Sequence, residues 1–202
     1  MRKTFAPLRV RNYRLYFAGQ IVSLAGSWMQ TIAQAWLILT LSHSGTMLGL
    51  ATAAQLLPVL LLSPYGGLIA DRVDKRRLLM AANVGNMLLA LALGVLVVTG
   101  AVTLPMVFML AAGLGVVRAF STPSQQAFAS ELVAKNLVQS AVSLNSMTTN
   151  AARAVGPAVA GVLIATTGAG VCFFLNAASF LPALWCLWRM NPKELAKAEV
   201  VE

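Results

Sequence analysis

Residues 78–117 read LLMAANVGNMLLALALGVLVVTGAVTLPMVFMLAAGLGVV and contain no charged side chain. A helix that crosses a membrane needs about 20 mostly apolar residues, so this stretch is long enough for two crossings. Two further tracts without Asp, Glu, Lys or Arg occupy 15–70 and 154–188. The sequence therefore predicts an all-α protein whose helices cross a bilayer.

The amino-acid composition also indicates a membrane protein. Of the 202 residues, 58% are hydrophobic and 10% are charged, whereas soluble domains carry roughly 25% charged residues. A soluble chain of this size buries only about 70% of its surface, so lipid must cover the remaining apolar surface. The net charge of +9 indicates membrane orientation rather than nucleic-acid binding, because the basic residues flank apolar tracts.

Turn-forming and charged residues divide the apolar tracts into six predicted transmembrane helices. The predicted organisation is a cytoplasmic segment at 1–14, a six-helix bundle at 15–188 and a cytoplasmic tail at 189–202. The predicted spans are 15–41, 46–70, 78–99, 104–120, 137–166 and 171–188.

The basic residues outside the spans fall on one side of this bundle. Thirteen Lys and Arg lie in the two terminal segments and in the loops after the second and fourth spans, and the three opposite loops contain none. Loops rich in Lys and Arg stay in the cytoplasm. We therefore expect a multi-pass protein of the cell (inner) membrane with both termini in the cytoplasm.

The first span carries a polar stripe. Gln20, Ser23, Ser27, Gln30 and Gln34 recur every three or four residues, which places them on one helical face. An amide that faces lipid leaves its hydrogen bonds unmade, so this face must contact protein or a wet cavity. The pattern alone leaves open whether the stripe lines a cavity or joins helices.

Polar residues also crowd the fifth span. Asn145, Thr149 and Arg153 follow one another at intervals of four. An arginine near mid-span costs about 2.5–3.5 kcal/mol on insertion scales and usually faces a cavity or a partner. We expect this of Arg153 more than of Arg118, which lies nearer the cytoplasmic end of the fourth span and could extend to the surface. The predicted substrate-cavity residues are Gln30, Gln34, Asn145, Thr149, Arg153 and Arg118.

The spans lack the groups that catalysis or metal binding would require. No Asp or Glu lies inside a predicted span, and no Ser–His pair or metal-spaced set is present. The sequence thus predicts neither an enzyme nor a metal or other cofactor. Cys172 and Cys186 would lie about 21 Å apart along one helix, too far for a disulfide, and are expected to be buried free thiols.

Two short motifs resemble those of the major facilitator superfamily. The loop after the second span resembles motif A, with an aspartate, Asp74, where the superfamily pattern has glycine. The matching residues are Gly67, Asp71, Arg72, Lys75 and Arg76. The fifth span resembles motif C through Gly156, Pro157 and Gly161. The opening of the chain and the 122–133 connection are similar to the branch that includes the enterobactin exporter.

This resemblance implies half of a twelve-helix fold, built as a 3+3 inverted repeat that works by alternating access. It also implies that the charged residues of motif A engage a second six-helix half or a second copy of the chain. In the superfamily, motif C is associated with exporters that work as antiporters. With Arg153 and Arg118 as cations, we expect a small polar or anionic substrate such as a siderophore or drug. The alternative is a membrane scaffold or assembly subunit that transports nothing.

Overall fold

Helices account for nearly all of the structure, a computed structural model that describes residues 5–190, apart from the side chain of Asp71. Most of the predicted tail and the first four residues lie outside these described residues. The described α-helices are α1 (Arg11–Ser42), α2 (Gly45–Arg72), α3 (Lys75–Val98), α4 (Leu104–Glu131), α5 (Val138–Thr167) and α6 (Ala169–Arg189). Short 3-10 turns cover Ala6–Arg9 and Lys135–Leu137, and no strand occurs between residues 5 and 190.

Four of these helices, α2, α3, α4 and α6, are long and apolar enough to cross a membrane. This confirms the prediction of an all-helical, multi-pass membrane protein. The predicted count of six spans stays a prediction, because α1 and α5 carry the polar residues that lower their mean hydropathy.

The prediction that the fourth span ends at residue 120 was wrong, since α4 continues to Glu131 and contains Pro123. A proline inside a helix frees the carbonyl four residues earlier, here that of Ala119. Gly66 of α2 packs so closely on this carbonyl that a Cβ at Gly66 would collide with it. A neighbouring helix thus covers the carbonyl that the proline leaves without an amide partner.

The helices pack in a regular order. α1 packs on α5 and α6, α4 packs on α2 and α3, and α3 also packs on α6. Apolar side chains fill the centres of these contacts, for example Phe128 at one end of the bundle and Phe173 at the other. On the outside, α2 exposes leucines such as Leu60, which is 75% exposed, and an apolar outer face is what lipid requires.

The two thiols behave as the sequence predicts. Cys172 and Cys186 are both free and buried in α6. They leave no accessible thiol among the described residues.

Candidate functional site

A polar cavity lies inside the bundle, between α1, α2, α3, α4 and α6. We call it the first cavity; its volume is about 120 Å³. Its wall includes apolar side chains such as Ile38 and Phe180. The polar residues that line it are Ser27, Gln30, Thr31, Gln34, Thr52, Gln55, Asn86, Arg118 and Asn176.

A second cavity of about 170 Å³ lies toward the end of the bundle where α1 begins. It shares Ser27, Asn86, Arg118 and Phe180 with the first cavity. Its other polar residues are Gln20, Ser23, Asn83, Ser121, Thr122, Gln125, Asn145 and Thr149. The two cavities adjoin each other and together form a polar column between the helices.

Arg118 stands where the two cavities meet. Because α4 extends to Glu131, this residue lies near the middle of its helix and not toward one end, as the sequence had suggested. Its side chain is exposed to the cavity space and forms no hydrogen bond or ion pair with any residue from 5 to 190. No described acidic residue lines either cavity. An arginine without a counter-charge inside a membrane helix is a candidate functional residue.

The polar stripe of α1 serves both of the purposes that the sequence left open. Gln30 is 4% exposed, and its Oε1 accepts a hydrogen bond from Asn176 Nδ2 of α6 at 2.5 Å. Gln34 lines the first cavity and Gln20 the second. One face of α1 therefore joins α1 to α6 and lines the polar column at the same time.

The structure places the three candidate cavity residues of α5 in two different environments. Asn145 and Thr149 line the second cavity. Arg153 lines neither cavity; its guanidinium lies 4.8 Å from the centre of the Trp28 ring. This cation–π contact with a tryptophan of α1 gives Arg153 a partner that Arg118 lacks.

Sequence reasoning missed the polar residues of α3 and α6. Asn83, Asn86 and Asn176 all face a cavity, and Asn176 is only 3% exposed. The available signal was an amide side chain inside an otherwise apolar tract, where each unmade hydrogen bond costs free energy. Two of these residues stand in residues 78–117, the stretch that first indicated membrane helices.

The motif A cations hold three helix ends together. Lys75 Nζ forms an ion pair with Glu131 at the end of α4, at 2.9 Å. Arg76 donates from Nε and Nη2 to the last carbonyls of α6, those of Leu187 and Trp188, at 2.6 and 2.7 Å. Carbonyls at a helix end lack intrahelical partners, so this arginine satisfies two of them. Arg72 is exposed.

Asp74, which replaces the motif glycine, caps α3. Its Oδ1 accepts from the backbone N–H groups of Arg76 and Arg77, at 2.9 and 3.3 Å. The accompanying ion pair with Arg77 is 3.7 Å long and solvent-exposed, so it contributes little. The aspartate that departs from the motif therefore caps the N-terminus of α3.

Replacing Asp74 with alanine is expected to lower the free energy of unfolding by about 1 kcal/mol, the usual cost of losing an N-cap. The melting temperature of the purified full-length protein measures this loss. Asp74→Asn is the matched control, because asparagine caps helices about as well as aspartate. Equal losses in both variants would show that the charge matters and the cap does not.

The glycines of motif C differ in their surroundings. A Cβ at Gly156 would lie 2.6 Å from Cβ of Trp28 and 2.9 Å from the carbonyl oxygen of Ala25, both in α1. A Cβ at Gly161 would meet nothing within 4 Å. Only the first glycine is required for α5 to pack against α1.

Gly156→Ala is accordingly expected to destabilise the protein by about 1–3 kcal/mol through overpacking. Gly161→Ala is expected to be neutral or slightly stabilising, because alanine favours a helix over glycine by about 1 kcal/mol. Thermal unfolding of the two variants side by side tests the difference. A larger loss in Gly161→Ala would contradict the described packing.

Comparison with known proteins assigns the family. Residues 2–202 match a major facilitator family described as "Transmembrane secretion effector". The chain therefore belongs to the major facilitator superfamily, a class of membrane transporters and not of enzymes.

Two curated relatives are similar to this chain. The staphyloferrin A transporter of Staphylococcus aureus (strain NCTC 8325 / PS 47) is 34% identical over 176 residues, which cover 86% of this chain and 44% of that protein. An uncharacterised major facilitator transporter of Bacillus subtilis (strain 168), YfiS, is 29% identical over 167 residues, covering 81% and 38% respectively. The aligned part of the chain thus covers less than half the length of either relative. No solved structure matches it significantly.

Proposed function

We propose that this chain forms the N-terminal half of a secondary active transporter that exports a small polar or anionic molecule by alternating access. The observation that carries the proposal is Arg118, a cation without a partner between residues 5 and 190, where two polar cavities meet. A ligand that brings a negative charge would supply the counter-ion that the bundle lacks. The relative named for staphyloferrin A supports an anionic, siderophore-like substrate.

The packing order supports a 3+3 inverted repeat of six spans. Exchanging α1–α3 with α4–α6 turns the α1–α5 contact into the α4–α2 contact, and the α1–α6 contact into the α4–α3 contact. The α3–α6 contact is its own counterpart. Such an exchange symmetry is expected of two three-helix units related by a two-fold axis in the membrane plane.

The contacts at the charged end of the bundle support the orientation proposed from the basic residues. Lys75 reaches α4, Arg76 reaches α6, and the Tyr13 hydroxyl of α1 donates to the Ala141 carbonyl of α5 at 3.2 Å. Among residues 5–190, the helix ends that carry these basic residues therefore share one end of the bundle, which would face the cytoplasm of a cell whose inner membrane holds the protein.

Motif C and the secretion-related description of the family favour export. The partner would be a second six-helix half or a second copy, against which the exposed part of α5 would close the substrate path. Arg72 is exposed and available to such a partner.

Transport into inside-out membrane vesicles tests this proposal. The full-length protein should accumulate staphyloferrin A or another anionic siderophore in energised vesicles, and vesicles without the protein provide the baseline. Cysteines introduced at Gln20, Ser27 and Thr31, which line the cavities and are at least partly exposed, should react with water-soluble reagents. No transport of any anionic candidate, together with protection of all three cysteines, would instead support a scaffold.

A further inference from the structure

A buried chain of hydrogen bonds runs from α6 to the wall of the first cavity. The Ser179 hydroxyl lies 3.2 Å from Asn176 Oδ1 and 2.7 Å from the Asn176 carbonyl, to either of which it can donate. Asn176 Nδ2 donates in turn to Gln30 Oε1 at 2.5 Å. The three residues are between 3% and 8% exposed.

In the structure, these hydrogen bonds orient the Gln30 amide with its oxygen toward Asn176. If Gln30 alone were turned over while Asn176 kept its orientation, its N–H groups would face the N–H groups of Asn176, and two donors would oppose each other without an acceptor. Gln30 therefore presents its Nε2 donors away from Asn176. Since Gln30 lines the first cavity, those donors are available to a ligand there.

The first cavity has a positive charge that no described residue balances. A guanidinium offers five N–H groups and no acceptor, and Arg118 shares this wall with Gln30. No described acidic residue lines the cavity. An occupant with a negative charge and oxygen acceptors would therefore match Arg118 and the Gln30 donors.

Charge and size narrow the chemistry of the occupant. One arginine balances one carboxylate, while a phosphate monoester carries about 1.5–2 negative charges at neutral pH. A cavity of about 150 Å³ holds a benzene molecule, and the first cavity, at about 120 Å³, is smaller. It fits one carboxylate-bearing arm of a larger molecule.

We propose that the first cavity is a subsite for one carboxylate group of the transported molecule. Asn176 and Ser179 are positioning residues that hold Gln30 as a donor toward this group, while Arg118 supplies the positive charge. The subsite rests on the proposed function, because it takes the ligand to be the transported molecule.

Alkylation of a cysteine at the cavity tests the subsite without measuring transport. Thr52 is exposed and lines the first cavity, so Thr52→Cys in the full-length protein should react with N-ethylmaleimide. The described native thiols are buried, and the parent protein gives the background rate. Malonate should slow this reaction by placing one of its two carboxylates in the subsite, and malonamide, a neutral molecule of similar shape, should not.

Two variants examine the positioning residues. Asn176→Asp replaces the donor toward Gln30 with an acceptor, so the Gln30 amide should turn and present its oxygen to the cavity. The malonate concentration that gives half-protection should rise roughly tenfold or more. Gln30→Glu removes the Gln30 donors and keeps the oxygen that accepts from Asn176. It should raise the half-protection concentration to a similar extent, and it provides the test if Asn176→Asp fails to fold.

A control variant with the same charge outside the cavities excludes an effect of net charge alone. Asn150→Asp introduces the same charge on α5 at an exposed position that lines neither cavity, and protection by malonate should be unchanged. Ser179→Ala should weaken protection less than Asn176→Asp, because Asn176 keeps its bond to Gln30.

The outcomes distinguish the subsite from the proposed function. Equal protection by malonate and malonamide, or equal protection in Asn176→Asp and the parent, would overturn the subsite even if anionic siderophores are transported. Selective protection that is lost in Asn176→Asp and Gln30→Glu would support the carboxylate subsite even if vesicles showed no export.

Discussion

Arg118→Gln is expected to reduce the transport of an anionic substrate by about 10- to 100-fold. Hydrogen bonds to charged groups contribute about 1.5–3 kcal/mol, and each 1.4 kcal/mol corresponds to a factor of ten. Initial rates in energised vesicles over a range of substrate concentrations measure the loss. The melting temperature should stay the same or rise, because the variant removes a cation without a counter-charge from the middle of a membrane helix.

Arg153→Gln is the matched control for this change. It removes the same charge from a residue that stacks on Trp28 and lines neither cavity. We expect a much smaller loss of transport, accompanied by a modest loss of stability from the missing cation–π contact. If Arg153→Gln abolished transport and Arg118→Gln did not, the substrate site would lie where sequence reasoning first placed it.

Gly66→Ala is expected to have the largest effect on stability, at least about 3 kcal/mol, which is the upper range for overpacking. The added Cβ would collide with the Ala119 carbonyl. That atom is backbone and cannot turn away as a side chain would, so α2 and α4 would have to separate. Yield of folded protein and melting temperature in detergent measure this loss.

The adjacent residue provides the control. Gly67 belongs to motif A, yet a Cβ there would meet nothing within 4 Å. Gly67→Ala should therefore fold like the parent protein. If the two variants were equally unstable, the loss would come from altered backbone conformation and not from the contact with Ala119.

The helical elements were largely predictable from the sequence because charge is costly in lipid and so marks the helix ends. Five of the six helices both begin and end within a few residues of the predicted spans. The fourth was misjudged at Pro123, because a proline normally indicates a helix end. Gly66 on a neighbouring helix covers the carbonyl that Pro123 leaves without an amide partner, and sequence spacing does not reveal such a contact.

The candidate site was predictable only in part. Gln30, Gln34, Asn145 and Thr149 were found through helical periodicity, which reports residues that share a face of one helix. Asn176 belongs to another helix and lacks such a pattern. The roles of the two arginines depend on Trp28 and on the cavity wall, which come together only when several helices pack.

Lys75 and Arg76 link helix ends through charged groups, so the stability of this end of the bundle should depend on the salt concentration. The Lys75–Glu131 pair is partly accessible, with side chains 16% and 37% exposed, so dissolved ions can screen it. The Debye length falls from about 30 Å at 0.01 M to about 3 Å at 1 M ionic strength. Concentrated salt should therefore loosen this end of the bundle. It should leave the contact of Gly66 with α4 unaffected, since that contact depends on close packing and not on charge.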